Sequence, residues 1–388
     1  MPDYKFDCHI DRTGTSSLKW DRYPDDVLPL WVADMDFPSP PGVIEALHQR
    51  VEHGIFGYTH ASKEFKEVLV EWIKSHYNWQ IQPDWIVFMP GVVSGLNNFC
   101  QAFRDTHQQV VVQTPVYPPI LHAPDYSHLL RLESALVKSS SDHYEIDFND
   151  FETKIRKQPS QFILCNPQNP TGRVFTESEL NKLAEICLRH DTLICSDEIH
   201  CDLVFPGHKH IPMASLSPEV ANRTITFIAP SKTFNIAGLG CSVAIISNHG
   251  MRLAFSRQLE AFAGHVNALG LTAGLAAYRS GHEWLEEIIL YLTQNRDYLS
   301  SFIHDKLPEI HINPAEGTYL AWLDCHDYDL DPNPASFFLE KARVALNPGA
   351  DFGEPGNGFV RLNFGCEQAL MVQALDRMEK AIHESEMI

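Results

Sequence analysis

The sequence predicts an α/β protein in which a mostly parallel β-sheet is covered by helices on both faces and is followed by a smaller α+β unit. Two observations support this prediction. Between residues 85 and 246, short apolar runs alternate with longer amphipathic stretches, a pattern typical of a parallel sheet with helical connections. From Trp284 onward the pattern is mostly helical, with two strand-like segments, which indicates a separate unit.

The composition limits the classes of protein to be considered. The 388 residues include 30 Lys and Arg against 50 Asp and Glu, a net charge of −20. That length suggests two or three domains, and the acidic charge argues against nucleic-acid or anionic-membrane binding. We expect no secretory leader, because no apolar run follows a basic start at the amino terminus, and no membrane span, because no apolar stretch approaches the ~20 residues that a span requires.

The nine cysteines are scattered, without a C-x-x-C pair or the Cys and His spacing of a metal site. Reduced, mostly buried thiols are therefore expected, and with them a cytoplasmic location and no bound metal.

The elements follow from the local patterns. Residues 1–42 are predicted to form an irregular arm, because the first forty residues are rich in Asp, Pro and Trp and lack a sustained helical period. Helical periodicity begins near Val43 and recurs over residues 61–77. A helix over residues 177–190 is expected, with Thr176 as its cap and Glu179 completing a capping box. Six runs are predicted to be strands: residues 86–89, 109–113, 161–165, 192–196, 224–229 and 242–246.

The smaller unit is predicted from the last hundred residues. The predicted elements are a helix at 284–305, a strand at 319–322, a helix around 335–341, a segment at 359–364 and a final helix at 367–383. The sequence thus predicts an arm (1–42) that joins the small domain, a large domain with the binding site (43–283) and a small domain (284–388).

Polar segments with distinctive chemistry follow the predicted strands. Ligands bind at the carboxyl ends of strands in parallel sheets. Four segments lie there: Gly91-Val-Val-Ser-Gly, Asn166-Pro-Gln-Asn-Pro-Thr-Gly, Ser196-Asp-Glu-Ile-His and Ser231-Lys-Thr-Phe-Asn. A fifth, Arg361-Leu-Asn-Phe-Gly, lies in the smaller unit.

Together these residue types suit one ligand, pyridoxal 5'-phosphate. Its aldehyde needs a lysine, its ring nitrogen a carboxylate, its phenolic oxygen a neutral donor, its phosphate the amides of a helix start, and its ring an aromatic face. The sequence supplies Lys232, Asp197, Asn169, the run Gly91, Val92 and Val93, and Tyr117 for these partners in turn.

The same motifs carry a family resemblance over essentially the whole chain. Trp31-Val-Ala-Asp-Met-Asp-Phe, Phe56-Gly-Tyr, Asn166 to Gly172 and Arg361-Leu-Asn occur in order. The chain resembles fold-type I pyridoxal-phosphate enzymes of the aminotransferase class I/II superfamily, with the aspartate aminotransferase-like fold. Within them it resembles the cystathionine β-lyase branch typified by MalY and PatB, on residues 33–37, the Ser196 segment and Gly317-Thr-Tyr-Leu-Ala-Trp.

The resemblance implies a role for each site residue. Lys232 would hold the cofactor covalently, and Arg361 would clamp the substrate α-carboxylate. The loop of Asp34 would cover the carboxylate site through its backbone, and Tyr319 would line the substrate side chain. The other implied roles are Asp197 at the ring nitrogen, Asn169 at the phenolic oxygen, Tyr117 over the ring, Val92, Val93 and Ser231 at the phosphate, and Tyr58 at the phosphate of the neighbouring subunit of a homodimer.

Two departures from the wider aminotransferase pattern are informative. His200 stands where that pattern usually has Tyr, which fits the lyase branch and would place an imidazole near the phenolic oxygen. Gly240 replaces a phosphate-binding Arg, and Ala229 replaces a phosphate-binding hydroxyl. The phosphate would therefore depend on helix amides, Ser231 and the partner's Tyr58.

The implied reaction is α,β-elimination from L-cystathionine or a related S-substituted cysteine, which gives a thiol, pyruvate and ammonia. Lys232 would be the base, with Lys232, Tyr58 or Tyr117 protonating the leaving thiolate. Two alternatives stay open at this point. One is an aminotransferase, which uses the same Lys, Asp and Arg; the other is a cofactor-binding regulator that contacts a transcription factor.

Overall fold

A computed structural model of the protein describes residue 4, residues 6–312 and residues 315–386. In chain order its strands are β1 (Leu28–Pro29), β2 (Ile86–Met89), β3 (Gln109–Val112), β4 (Leu130–Glu133), β5 (Leu136–Lys138), β6 (Tyr144–Ile146), β7 (Ser160–Cys165), β8 (Leu193–Asp197), β9 (Thr224–Ile228), β10 (Ser242–Ile245), β11 (His311–Ile312), β12 (Leu320–Asp324), β13 (Val344–Ala345), β14 (Asn347–Pro348) and β15 (Phe359–Asn363). Its α-helices are α1 (Pro41–His53), α2 (Lys63–Tyr77), α3 (Val92–Ala102), α4 (Pro118–Tyr126), α5 (Phe148–Ile155), α6 (Glu177–Arg189), α7 (Pro218–Ala221), α8 (Pro230–Thr233), α9 (His249–Phe262), α10 (Ala268–Ser280), α11 (His282–Lys306), α12 (Pro334–Phe337) and α13 (Gln368–Glu386).

The larger sheet has seven strands in the order β2-β10-β9-β8-β7-β3-β4. Neighbouring strands are parallel from β9 to β4, and β10 is antiparallel to both β9 and β2. The predicted mostly parallel sheet is therefore confirmed, and the six predicted strands are six of its seven. The seventh, β4, lies at the edge, where its sequence Leu-Arg-Leu-Glu is only partly buried.

Helices cover both faces of this sheet, as predicted. On β3, Val110 and Val112 belong to one hydrophobic cluster with residues of α3, α4 and α9. Val111, between them, belongs to a second cluster with residues of α5 and α6. Because successive side chains of a strand point to opposite faces, each face of the sheet packs on its own helical layer.

A second, antiparallel sheet has the order β11-β12-β15-β14. Its β12 and β15 pair along their whole length, with Trp322 opposite Arg361. One hydrophobic cluster joins this sheet to the arm and to α2, since it includes Leu30, Leu69 and Leu320. The proposed division at residues 42 and 283 stays a prediction, and residues 1–3, 5, 313, 314, 387 and 388 of the outer two segments lie outside the described residues.

The arm crosses the molecule with little regular structure. Its strand β1 pairs in parallel with β13, Leu28 opposite Val344. The next residues approach the second sheet, because the amide of Asn363 donates to the carbonyl of Leu30 at 2.9 Å. Within the described residues, no helix is long and apolar enough to cross a membrane.

Candidate active site

A cavity of about 190 Å³ lies at the edge of the larger sheet where β2, β3, β7, β8 and β9 end. These five strands run in one direction, because β10 is antiparallel both to β2 and to β9. The loops after them therefore meet at one edge. The predicted site residues that line the cavity are Gly91, Val92, Val93, Tyr117, Asn169, Asp197, His200, Ser231 and Lys232.

Lys232 lies on the short helix α8, directly after β9. Its Nζ donates to the carbonyl oxygen of Ala33 at 2.5 Å. The pKa of Lys232 is lowered to about 8, mainly by burial. The charge of Arg361 also lowers it, while the Asp34 and Asp197 carboxylates act in the opposite direction. A lysine with such a pKa is partly neutral near pH 8, and the neutral amine is the form that attacks a carbonyl or accepts a proton.

Asp197 is the last residue of β8, between β7 and β9, and is almost fully buried. Burial raises the pKa of Asp197 to about 7, although its Oδ1 accepts a hydrogen bond from the amide of Ile199 at 3.2 Å. A cation placed beside this carboxylate in the cavity would favour its charged form. A protonated pyridine nitrogen is such a cation, so Asp197 fits the role expected of it.

Neutral polar groups form another wall of the cavity. The main-chain carbonyl of Asn169 accepts from the amide of Tyr117 at 3.0 Å, which joins the loop after β7 to the loop after β3. His200 is buried, and burial lowers its pKa to about 3, so that its ring is neutral. The Nδ1 atom of His200 has no hydrogen-bond partner within the described part of the chain. A polar ligand would provide the partner that this buried nitrogen lacks.

The amino-terminal end of α3 faces the cavity through Gly91, Val92 and Val93. The first amides of a helix have no partner within it, and the helix dipole adds partial positive charge there. Ser231 of α8 adds a hydroxyl, and together these groups suit a phosphate. Gly240 also lines the cavity in the left-handed region, at φ +60°, and a Cβ there would lie 3.2 Å from the carbonyl oxygen of Pro90. This position therefore disfavours any side chain, including the Arg of the wider aminotransferase pattern.

Arg361 of β15 reaches the same site from the second sheet. Its Nη1 donates to Asn169 Oδ1 at 3.1 Å, and its Nη2 donates to the carbonyl of Trp31 at 2.8 Å and to Asn347 Oδ1. The guanidinium is buried, which lowers the pKa of Arg361 to about 10. Its Nε has no partner among the described residues, so a carboxylate could still bind there.

Tyr319 and Asp34, the other two predicted substrate-binding residues, have their polar groups bound within the chain. The hydroxyl of Tyr319 donates to the carbonyl of Ala33 at 2.9 Å, and its ring stands edge-on to His200 with centroids 6.0 Å apart. The Asp34 carboxylate is bound to Arg12, with Nη2 to Oδ2 at 2.8 Å, so its side chain is already paired. Asp34 would thus contribute through the backbone, as expected.

Tyr58 is the one predicted site residue that lies well away from the others. Its side chain is fully exposed and lines a larger surface cavity with Phe56, His60 and His265. Within one chain it contributes nothing to the smaller cavity, which is what a residue acting in a neighbouring subunit requires.

Sequence reasoning missed several residues of the site. Ala33 acts through its carbonyl, which no side-chain pattern reveals. Asn347 binds Arg361 because β14 and β15 pair in that register, a contact between strands that the sequence did not predict. Cys165 and Cys241 also line the cavity, and burial raises the pKa of Cys241 to about 12, so its thiol is un-ionised. The described residues contain no group of three or more His, Cys, Asp or Glu that could hold a metal ion.

Comparison with known proteins places this site in a family. The family model of aminotransferase class I and II matches residues 25–378. The chain belongs to that family. This aminotransferase class I and II protein is 43% identical to cystathionine β-lyase PatB of Bacillus subtilis, over 97% of this chain and 99% of PatB.

Solved structures of the family agree with the fold. Cystalysin from Treponema denticola, which contains a pyridoxal 5'-phosphate cofactor, superposes with a TM-score of 0.94 at 35% identity, covering 98% of this chain and 99% of cystalysin. The pyridoxal-phosphate-bound C-S lyase of Staphylococcus hominis gives a TM-score of 0.93 at 35% identity over the same shares. The predicted pyridoxal-phosphate-dependent transferase fold is confirmed.

Proposed function

We propose that this protein is a pyridoxal-phosphate-dependent carbon-sulfur β-lyase. It converts L-cystathionine or related S-substituted cysteines to a thiol, pyruvate and ammonia. The observation that carries the proposal is that Lys232 and Asp197 line one cavity and that Arg361 binds Asn169 in its wall, in a chain 43% identical to a cystathionine β-lyase.

Each part of the cofactor has its own partner among the residues of the cavity. When bound, pyridoxal 5'-phosphate supplies an electron-withdrawing ring that stabilises negative charge at the substrate's α-carbon. Asp197 would keep the ring nitrogen protonated through charge pairing. Asn169 and the neutral His200 would bind the phenolic oxygen, and Tyr117 would pack on the ring. The amides of Val92 and Val93, with Ser231 and the helix dipole of α3, would hold the phosphate.

Lys232 moves the proton. Its lowered pKa leaves neutral amine available near pH 8, so its Nζ takes the proton from the substrate α-carbon. The electron pair released there forms the bond between the α- and β-carbons, and the β-carbon–sulfur bond breaks with its pair on sulfur. Lys232, Tyr58 or Tyr117 then protonates the thiolate. Addition of one water to the remaining enamine product gives pyruvate and ammonia.

Arg361 orients the substrate. Its planar guanidinium binds the α-carboxylate, and its contacts with Asn169 and Asn347 fix the plane of the guanidinium before substrate arrives. Tyr319 lies between the arm and His200, where it lines the space for the substrate side chain.

The assembly proposed is a homodimer with shared sites, in the cytoplasm and without nucleic acid or membrane as partner. Tyr58 supports the dimer, because it is fully exposed yet lies outside the cavity of its own chain. The cytoplasmic location is supported by nine cysteines without a disulfide, eight of them buried.

The deciding experiment supplies cofactor-loaded protein with L-cystathionine and no 2-oxo acid. We expect sustained release of pyruvate and free thiol in equal amounts, and none from Lys232→Ala, which should also lose the yellow absorbance of the bound cofactor. No release, together with conversion of the cofactor to its amine form that a 2-oxo acid reverses, would instead establish an aminotransferase.

A further inference from the structure

Residues 31–36 of the arm, called here the strap, lie against the catalytic groups with their main chain. The carbonyl oxygen of Ala33 accepts from Lys232 Nζ at 2.5 Å and from the Tyr319 hydroxyl at 2.9 Å. The carbonyl of Trp31 accepts from Arg361 Nη2 at 2.8 Å. The strap therefore contacts both the proposed base and the proposed carboxylate-binding residue.

Two asparagine side chains from later parts of the chain bind the main chain of the strap. Asn363 Nδ2 donates to the carbonyls of Val32 (2.5 Å) and Asp34 (2.7 Å). Asn235, in the loop after α8, accepts from the amide of Met35 at 3.1 Å through Oδ1 and donates to the carbonyl of Met35 at 2.8 Å through Nδ2. These contacts tie the main chain of residues 32, 34 and 35 to the rest of the chain.

An ion cluster also holds the strap, and it shares two acceptors with the asparagines: the Asp34 carbonyl accepts from Lys19 as well as Asn363, and the Met35 carbonyl accepts from Arg12 as well as Asn235. This arm cluster consists of Arg12, Lys19, Asp34 and Asp36. Lys19 Nζ lies 2.6 Å from Asp36 Oδ2 and 3.9 Å from Asp34 Oδ1, and it also donates to the carbonyl of Asp34 at 3.5 Å. Arg12 joins both carboxylates, with Nη1 to Asp36 Oδ1 at 2.6 Å and Nη2 to Asp34 Oδ2 at 2.8 Å. Trp20 Nε1 donates to Asp36 Oδ1 at 2.9 Å.

Lys19 and Asp36 are buried, so neither charge can exchange its partner for water. The side chain of Lys19 is 0% exposed and that of Asp36 is 7% exposed. A buried charge without its partner is costly, so Asp36 has to stay against Lys19 and Arg12. The cluster contains two cations and two carboxylates and is neutral as a set. Because Asp34 and Asp36 belong to the strap, the cluster determines where the strap lies.

We propose that Arg12 and Lys19 are positioning residues, which fix the strap and thereby set the affinity of the Arg361 site for the substrate's α-carboxylate. This inference rests on the proposed function, since it assigns Arg361 to the carboxylate. Neither cation touches the cavity itself. Their effect passes through Asp34 and Asp36 to the carbonyl of Trp31, which orients the guanidinium.

The test replaces Lys19 with methionine in the full-length, cofactor-loaded protein. We expect Lys19→Met to raise KM for L-cystathionine by about tenfold or more, because a displaced Trp31 carbonyl no longer orients the Arg361 guanidinium for bidentate binding of the α-carboxylate. The change in kcat should be smaller than the change in KM. Hydrogen exchange of the amides of residues 31–36 should become faster in the same variant. Arg12→Met, at a position where the side chain is 23% exposed, should act in the same direction and provides the test if Lys19→Met does not fold.

Asp26→Asn is the matched control. Asp26 lies on the same arm and pairs with Arg343 at 2.8 Å, but it is 64% exposed and lies outside the strap. It should leave KM and the exchange of residues 31–36 unchanged. Equal KM values in wild type and in both arm-cluster variants, a loss confined to kcat, or an equal rise in Asp26→Asn would overturn the proposal.

A ligand without a leaving group separates this proposal from the proposed function. L-Alanine carries the α-carboxylate but cannot eliminate, and its binding is followed through the cofactor absorbance. Weaker alanine binding in Lys19→Met supports the positioning role even in a protein that released no pyruvate from cystathionine. Unchanged alanine binding would contradict the role even in an active lyase.

Discussion

At the residue scale, burial brings the pKa values of an acid and a base in the cavity close together. It lowers the pKa of Lys232 to about 8 and raises the pKa of Asp197 to about 7. For Lys232 the shift makes a neutral base available near neutral pH, and for Asp197 it means that a cation beside the carboxylate strengthens its charged form. His200 differs, since its pKa of about 3 keeps it neutral and leaves only a hydrogen-bonding role.

Asp197→Asn tests the electrostatic part of this argument. The amide has the same shape but cannot hold a proton on the ring nitrogen by charge, so we expect turnover to fall by about 100-fold or more. Cofactor content should persist, because the phosphate contacts at α3 are untouched. Pyruvate release and cofactor absorbance, measured on the same sample, check both points. A variant with wild-type turnover would remove Asp197 from its proposed role.

Residue types in the cavity could be predicted from the sequence because each carries its own chemistry. Lys232, Asp197 and Asn169 follow strands in positions where ligands bind, and all three line the cavity. Contacts made through the backbone could not be predicted in this way. The carbonyl of Ala33 has no side-chain signature, and its place beside Lys232 depends on how the arm folds back.

At the element scale, the sequence predicted those features whose hydrogen bonds lie within a single segment. Thr176 and Glu179 form the predicted capping box of α6, with Thr176 accepting from the amide of Glu179. Elements that depend on neighbours were missed. The edge strand β4 has no apolar run to reveal it. The helix expected around residues 335–341 is present, but it consists of α12 and a π-helical turn over Phe338–Ala342, a type that the pattern did not predict.

The position of α8 depends on hydrogen bonds between segments that are far apart in the sequence. Asp202 Oδ2 accepts from the hydroxyl of Thr233, next to Lys232, at 2.7 Å. Its Oδ1 accepts from Trp72 Nε1 at 3.0 Å and from the hydroxyl of Tyr77, both on α2. One carboxylate thus joins α2 to the helix that carries the catalytic lysine.

Asp202→Asn should lower the free energy of unfolding by about 1.5–3 kcal/mol, because it weakens hydrogen bonds to a charged acceptor. Urea unfolding, followed by fluorescence, measures the change. The matched control is Asp84→Asn, in which the carboxylate is 74% exposed and pairs only loosely with Arg252 at 3.4 Å; we expect a change within about 0.5 kcal/mol there. Equal effects of the two substitutions would refute the bridging role of Asp202.

At the scale of the whole molecule, the site is assembled from three parts of the chain. The larger sheet provides Asp197 and, through the helix α8 after β9, Lys232; the second sheet provides Arg361, and the arm provides the strap, which contacts Lys232 and Arg361. The sequence predicted the larger sheet and a smaller α+β unit from their patterns, but not the antiparallel insertion of β10 or the pairing of β1 with β13. Such pairings join segments far apart in the chain, where local periodicity carries no information.

A fourth part is proposed to come from a second subunit, through Tyr58. Mixing the Tyr58→Phe and Lys232→Ala variants tests it. In a mixed dimer, the chain that keeps Lys232 receives an intact Tyr58 from its partner, and its site is complete. Random exchange of subunits should restore about a quarter of wild-type activity, because about half of the dimers are mixed and each has one complete site.

The measurement is pyruvate release before and after the two variants are mixed, with exchange verified by two distinguishable tags. Each variant alone, taken through the same procedure, provides the baseline. If Tyr58 served its own chain, every site in the mixed dimer would carry one substitution and activity would stay at that baseline despite exchange. The recovered fraction therefore decides whether the exposed Tyr58 side chain completes the site of its own chain or that of its neighbour.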